Sequence, residues 1–160
     1  MVNDPSPSRD VVVGLYGRLL GAWNDRDAAA FADQFTGSGS TVGFDGSQMD
    51  GRDAIRSELA RIFTDHTPAT YVAVVREVRA LGPGVTLLRA VAGMVPPGGD
   101  ALNPERNAIQ SLVAVLDEGA PRIAHYQNTP ASFHGRPELV ERLTAELTAV
   151  HRNGRIVDPG

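Results

Sequence analysis

From Arg9 to Trp23 apolar residues recur at helical spacing, with Val12, Tyr16, Leu19, Leu20 and Trp23 on one stripe. This predicts an amphipathic helix that lays an aromatic-bearing face on a core. Asn24 and Asp25 break the pattern, and Asp27 is placed to cap a second short helix running through Phe35, with Phe31 and Phe35 one turn apart. The glycines and serines of Thr36 to Ser40 predict the end of that helix. Thr41 to Phe44 then reads as a brief strand entering the turn Asp45-Gly46-Ser47. Asp50 and Asp53 resemble a capping arrangement for a third helix, whose stripe is Ile55, Leu59, Ile62 and Phe63.

Beyond Thr67-Pro68 the texture turns β-branched. Tyr71 to Val78 and Val85 to Val95, joined at Gly82-Pro83-Gly84, predict one hairpin. Asn107 to Leu116 and Arg122 to Thr129 predict a second, about Asp117-Glu118-Gly119. Pro137 opens a last amphipathic helix carrying Leu139, Val140, Leu143, Leu147 and Val150, which ends near Gly154. Helices ahead of an antiparallel sheet imply an α+β fold with the helices on one face. On the second hairpin, alternation sets Val113, Val115 and Ile123 on one face and Leu112, Ala114, Leu116, Ala124 and Tyr126 on the other. One face is expected to cover a pocket and the other to meet a partner chain. With no repeat and no linker, a single domain is expected over residues 9–151, between fraying tails at 1–8 and 152–160.

Composition narrows the classes. A chain of 160 residues, 42% hydrophobic and 21% charged, matches one ordinary globular domain. No apolar run approaches the ~18 residues of a spanning helix, and the polar, Pro-bearing start does not resemble a signal peptide. The expectation is a cytoplasmic protein with no membrane partner. The absence of cysteine removes disulfides, thiolate ligands and a cysteine nucleophile. His66, His125, His134 and His151 are scattered without ligand spacing, so no metal site is predicted. A net charge of −4 without a basic cluster argues against nucleic acid. All 15 basic residues are arginine, which carries no functional weight by itself.

Several pieces coincide in order: Ala22-Trp23-Asn24 with Asp27, Phe31-Ala32 to Phe35, Asp45-Gly46 leading to Gly51-Arg52-Asp53-Ala54-Ile55, and Arg122-Ile123 leading to Gln127-Asn128-Thr129. Over residues 10–150 they resemble the nuclear transport factor 2-like superfamily, in its SnoaL-like branch, and most closely the SgcJ/EcaC family. Tyr126-Gln127-Asn128-Thr129-Pro130 and Phe133-His134-Gly135-Arg136-Pro137-Glu138-Leu139 look like the SgcJ-type members found in enediyne antibiotic biosynthesis. Pro121 stands where that family often has tryptophan. The resemblance implies a cone-shaped fold, N-terminal helices packed on a curved mixed or antiparallel sheet, and a homodimer.

Cone-shaped relatives such as ketosteroid isomerase use a carboxylate base with a tyrosine and a protonated acid as oxyanion hole. Overlaying that pattern places Leu19 at the tyrosine, Phe44 beside Asp45 at the base, and Leu112 at the buried acid. Isomerase chemistry of that kind is therefore not expected. The overlay and strand alternation select Gln110, Leu112, Ala124, Tyr126 and Asn128 as the pocket-facing set. Ligand contacts are expected from Tyr16, Trp23, Phe44, Gln110, Leu112, Tyr126 and Asn128. Catalytic candidates are Tyr126, Asn128 and Asp45, the last as a rim base raised in pKa by burial. No nucleotide-binding loop or G-x-S-x-G elbow is present, so no cofactor is implied.

Three readings stay open at this level. One is a cofactor-free enzyme of secondary metabolism acting on a polyketide- or enediyne-type intermediate, a small apolar or aromatic molecule. Another is a binding or carrier protein for that intermediate. The third is an interaction partner of a pathway enzyme.

Overall fold

The computed structural model describes residues 6–160. Its elements are α1 (Arg9–Asn24), α2 (Ala28–Asp33), β1 (Phe35–Val42), β2 (Gln48–Asp50), α3 (Arg52–Asp65), β3 (Thr70–Gly82), β4 (Val85–Val95), β5 (Ala108–Asp117), β6 (Ala120–Pro130), α4 (Pro137–Asn153) and β7 (Ile156–Val157). Seven strands form one sheet in the order β2-β1-β6-β5-β4-β3-β7. β1 runs parallel to β6 and β7 parallel to β3, while the other pairs are antiparallel. The fold is α+β with a curved sheet, as the helix-then-hairpin pattern predicts.

The expected aromatic helix forms as α1, with Val12, Leu15, Tyr16, Leu19 and Leu20 all buried. Ser8 caps its N-terminus through a 3.4 Å bond from Val11 N–H, and Asp27 caps α2 by accepting from Ala30 N–H at 3.0 Å. Asn24 breaks the helical pattern for a structural reason. Its carboxamide accepts from Tyr71 N–H at 2.8 Å and donates to Tyr71 C=O at 3.1 Å, so the end of α1 clamps the start of β3.

Both faces of β3 and β4 are buried. Tyr71, Ala73, Val75, Leu88, Ala90 and Ala92 join α1, α2 and α3 in the main core. Val72, Val74, Val91 and Val95 face the opposite way and pack with Leu143 and Leu147 of α4. The helices are therefore not all on one face as expected: α4 covers the back of β3 and β4. Its strong apolar stripe requires a surface of its own, and the double-sided apolar run of β3 supplies it.

Other expectations are corrected by pairing. The second helix stops at Asp33, not Phe35, and the Gly/Ser stretch is strand rather than loop. β1 is held between β2 and β6 by backbone hydrogen bonds that need no branched side chain. At Gly39 the strand approaches so closely that an added Cβ would lie 2.9 Å from Ile123 O and 3.0 Å from Phe35 Cδ2. The strand ends at Val42, leaving Phe44 in the turn. Asp50 and Asp53 do not cap α3. Gly51, at φ 97°, occupies the cap position without a side-chain bond and donates its N–H to Gly39 C=O at 2.7 Å.

The register of β5 on β6 shifts between Val113↔His125 and Ala114↔Ile123, which leaves Ala124 unpaired. This one-residue bulge reverses the expected parity upstream of Tyr126. Ile123 is fully buried in the main core, whereas Ala124 is only half-buried and is not one of the pocket-facing residues.

The ends are tied down as well. Ser6 Oγ donates to Gly82 C=O at 2.7 Å, Thr86 Oγ1 donates to Pro7 C=O at 2.9 Å, and Arg9 pairs with Asp158. Residues 155–160, expected to fray, instead contribute β7. The part of the expected N-terminal tail from Met1 to Pro5 lies outside the described residues. Among the described residues no helix is long and apolar enough to cross a membrane.

Candidate functional site

Between α1, α2 and α3 on one side and β1, β3, β4 and β6 on the other lies a cavity of about 290 Å³. Its apolar wall consists of Trp23, Phe31, Phe44, Met49, Leu59, Ile62 and Met94. Trp23 is fixed by an Nε1–H bond of 2.9 Å to Ala69 C=O. Its ring meets Phe63 edge-on at 5.3 Å, Tyr71 at 5.5 Å and Phe31 at 6.2 Å. Such tilted contacts are favoured by the ring quadrupoles and leave a stiff aromatic wall.

The polar end is built by α1, β3, β5 and β6. Tyr16, fully buried, donates its hydroxyl to Gln110 Oε1 at 2.5 Å. Gln110 Nε2 donates onward to Asn128 Oδ1 at 2.7 Å. The phenol has one proton to give, so Gln110 must present its oxygen to Tyr16 and its NH₂ to Asn128. Asn128 is thereby oriented with its own NH₂ as the end of the chain, and it lines the cavity.

Beside it, Tyr126 is buried and lines the cavity, and its Oη has no hydrogen-bond partner among the described residues. Tyr71, Tyr126 and Asn128 are near enough to affect one another's ionisation, although no directed bond reaches Tyr126 Oη. Burial pushes the Tyr71 phenol up to about 12 and the Tyr126 and Tyr16 phenols well above their ordinary value. All three therefore remain protonated at neutral pH. Among the described residues, the buried end of the cavity offers O–H and N–H donors and no carboxylate.

Asp45 and Arg106 stand at the exposed opening. Asp45 does not have the raised pKa expected of a rim base. Ser47 holds its carboxyl below the usual range, and its N–H donates to Asp45 Oδ1 at 2.9 Å. The residue is solvated, so the burial needed to raise the pKa is missing.

The structure brings Trp23, Phe44, Tyr126 and Asn128 together around the cavity, in line with the sequence reading. Tyr16 and Gln110 stand one layer behind and act through Asn128. Leu112 pairs directly with Tyr126 and shares its face, but it is fully buried in the main core with the α1 residues and does not line the cavity, which corrects the expectation. Tyr71, Phe31, Met94 and Arg106 were not anticipated. Parity could have found Tyr71, which lies two and four residues before Ala73 and Val75 on the core-facing side of β3. His125 points away from the cavity, as strand alternation implies, with Ser40 Oγ 2.8 Å from Nδ1 and Gln127 Oε1 2.9 Å from Nε2.

No known family profile matches the chain, and neither does any curated protein. Solved structures do match. A domain of unknown function with a cystatin-like fold from Nostoc punctiforme superposes with a TM-score of 0.73 at 18% identity, covering 91% of this chain and 96% of that one. An uncharacterized cystatin-like-fold protein from Caulobacter vibrioides gives 0.63 at 28% identity, over 81% of this chain and 93% of its own. A ketosteroid isomerase-like protein from Erwinia carotovora gives 0.62 at 15% identity, over 78% and 98%. With an NTF2-like protein of unknown function from Shewanella oneidensis also matching at 0.58, the architecture of this chain is that of the NTF2-like, cystatin-like fold.

Proposed function

We propose that this chain is a small-molecule-pocket protein that binds an apolar, planar or polyene compound carrying a carbonyl oxygen. The observation that carries this reading is the buried Tyr126 hydroxyl, which no directed hydrogen bond reaches, beside the Asn128 carboxamide at the polar end of an aromatic cavity. A buried polar group without a partner costs about 1–3 kcal/mol, which a ligand oxygen would recover. An engineered cavity of ~150 Å³ accepts benzene, so the space here suits about two rings or the end of a longer molecule.

The SgcJ/EcaC resemblance of Tyr126 to Leu139 supports a polyketide- or enediyne-type intermediate of secondary metabolism as that molecule. The chemistry the donors support is binding and carbonyl polarisation, without cofactor. Proton abstraction is not part of the proposal, because among the described residues Asp45 is the only carboxylate lining the cavity and it is solvated. The likeness to an isomerase-like structure is one of fold. Leu19 and Leu112, where that chemistry would need polar groups, are packed in the core. Along β5 and β6, Val113, Val115 and His125 are half-buried on the back face, and a second copy of the chain is the proposed cover for them.

The test is a matched pair of probes, 1-indanone and indane, titrated by calorimetry with the single Trp23 indole N–H resonance as site reporter. One recovered hydrogen bond of ~1 kcal/mol predicts about fivefold tighter binding of the ketone. Tyr126→Phe should remove most of that preference. Equal affinities for ketone and hydrocarbon in the unmodified protein would overturn the reading.

A further inference from the structure

Among the described residues, Arg106 is the one charged side chain lining the cavity that has no hydrogen-bond or ion-pair partner. It closes the 3₁₀ turn Pro104–Arg106, which is pinned by Asn103: the Asn103 side chain accepts from Glu105 N–H at 3.1 Å, and its C=O accepts from Arg106 N–H at 3.0 Å. The guanidinium carbon sits 5.5 Å from the centre of the Phe44 ring. That stacking orients the group yet leaves its edge N–H donors free, because the ring contacts only a face. Several other arginines are engaged by carboxylates or carbonyls, such as Arg9 with Asp158, Arg76 with Glu146 and Arg52 with Phe35 C=O. Arg106 makes no side-chain hydrogen bond or ion pair among the described residues. Asp45, which also lines the cavity, has its Oδ1 engaged by Ser47 N–H instead.

Resting on the pocket reading above, we propose that Arg106 is the anion-recognition residue of this cavity, so that the ligand is an aryl or polyene carboxylate. Its apolar body lies against Trp23 and Phe31, and its carboxylate is held at the opening by the guanidinium over Phe44. Two observations converge on it. The buried Tyr126 hydroxyl without a directed bond argues for an occupant of the cavity, and the oriented cation at the mouth argues for that occupant's negative charge. The polar groups committed to the ligand, Tyr126, Asn128 and Arg106, are all able to donate. A ligand whose acceptors lie at both ends of an apolar body would satisfy each of them. Planar, forked pairing with carboxylate is the geometry guanidinium favours.

The experiment compares 2-naphthoate, its neutral isostere 2-naphthamide and the cation 2-naphthylmethylammonium, by calorimetry at low and moderate salt, with Trp23 indole shifts confirming occupancy. Exposed ion pairing predicts that naphthoate binds about three- to tenfold more tightly than the amide. The advantage should shrink with added salt and vanish in Arg106→Gln, so that naphthoate and naphthamide bind that variant alike. Arg106 is exposed, so the variant is expected to fold. If naphthoate and naphthamide bind equally, or the ammonium probe binds best and loses its advantage in Asp45→Asn, the anion assignment is overturned and the pocket reading stands. If none of the three shifts the Trp23 resonance, both fall.

Discussion

Gln110→Leu keeps most of the volume of a fully buried side chain while deleting both hydrogen bonds that join α1 to β6. It strands the Tyr16 hydroxyl, which is completely buried, and the Asn128 carbonyl oxygen, at a residue 7% exposed. A stranded buried group costs about 1–3 kcal/mol, so the two together predict a loss of about 2–4 kcal/mol once the partial solvation of Asn128 is discounted. In a domain of this size that is a fall of about 5–15 °C in Tm. Urea denaturation followed by Trp23 fluorescence measures it. The distinguishing result comes from the cycle with Tyr16→Phe. Each single variant leaves an orphan, but the double variant removes the Tyr16–Gln110 pair whole and leaves only Asn128 unmatched. It should therefore be about 1 kcal/mol or more better than the sum of the singles. A Gln110→Leu cost under about 0.5 kcal/mol, or strict additivity, would refute the buried relay and with it the orientation of Asn128.

Other expectations follow from the same contacts. The three tyrosines of the chain all carry raised pKa values, so tyrosinate absorbance should stay absent in the folded protein well past pH 10. Because the folded phenols hold their protons when unfolded ones lose them, stability should be full below about pH 10 and decline above it; a titration with normal phenol pKa values and no unfolding would contradict this. Gly39→Ala should destabilise by about 2 kcal/mol or more, since its Cβ would press on backbone at Ile123, as a denaturation midpoint will show. Leu147→Ala should cost about 2–5 kcal/mol by opening a cavity between α4 and the sheet, again read by denaturation. Glu146, held below its ordinary pKa by Arg76, supports the α4–β3 contact above the normal carboxylate range and loses that support as pH falls. With both side chains over a third exposed, Glu146→Gln should cost no more than about 1 kcal/mol at neutral pH, seen as a small loss of acid dependence.

The helices and the two long hairpins were legible because their periodicity is a property of the chain alone. Stripes such as Val12 to Leu20 or Leu143 to Leu147 bury the same face in any tertiary setting. Only the end of β1, Thr41 and Val42, was legible as strand, since the Thr-Gly-Ser-Gly-Ser run before it has no strand pattern until β6 supplies its partners. The Ala124 bulge was invisible for a related reason: one inserted residue changes parity without changing composition. The site was half legible. Tyr126 and Asn128 follow from alternation downstream of the bulge, and Trp23 from the helical stripe. Arg106 and Met94 reach the cavity through loop and sheet geometry that local spacing does not encode. Asp45 reads from sequence either as a rim acid or as an Asp-Gly turn, and its exposure and bond from Ser47 N–H fit the turn.

The last strand, β7, is only two residues long, Ile156–Val157, yet it lies against Ala73 and Val74 of the thirteen-residue β3. At the other edge β2 is three residues long. Both borders of the sheet therefore end in strands too short to template further pairing, which is how folded proteins avoid strand-to-strand growth. Removing residues 155–160 would uncover the β3 edge at Ala73 and Val74, within Val72 to Val75, a stretch rich in β-branched residues and without charge or proline. Such an edge is a seed for cross-β assembly. The short C-terminal segment thus guards the colloidal behaviour of the molecule.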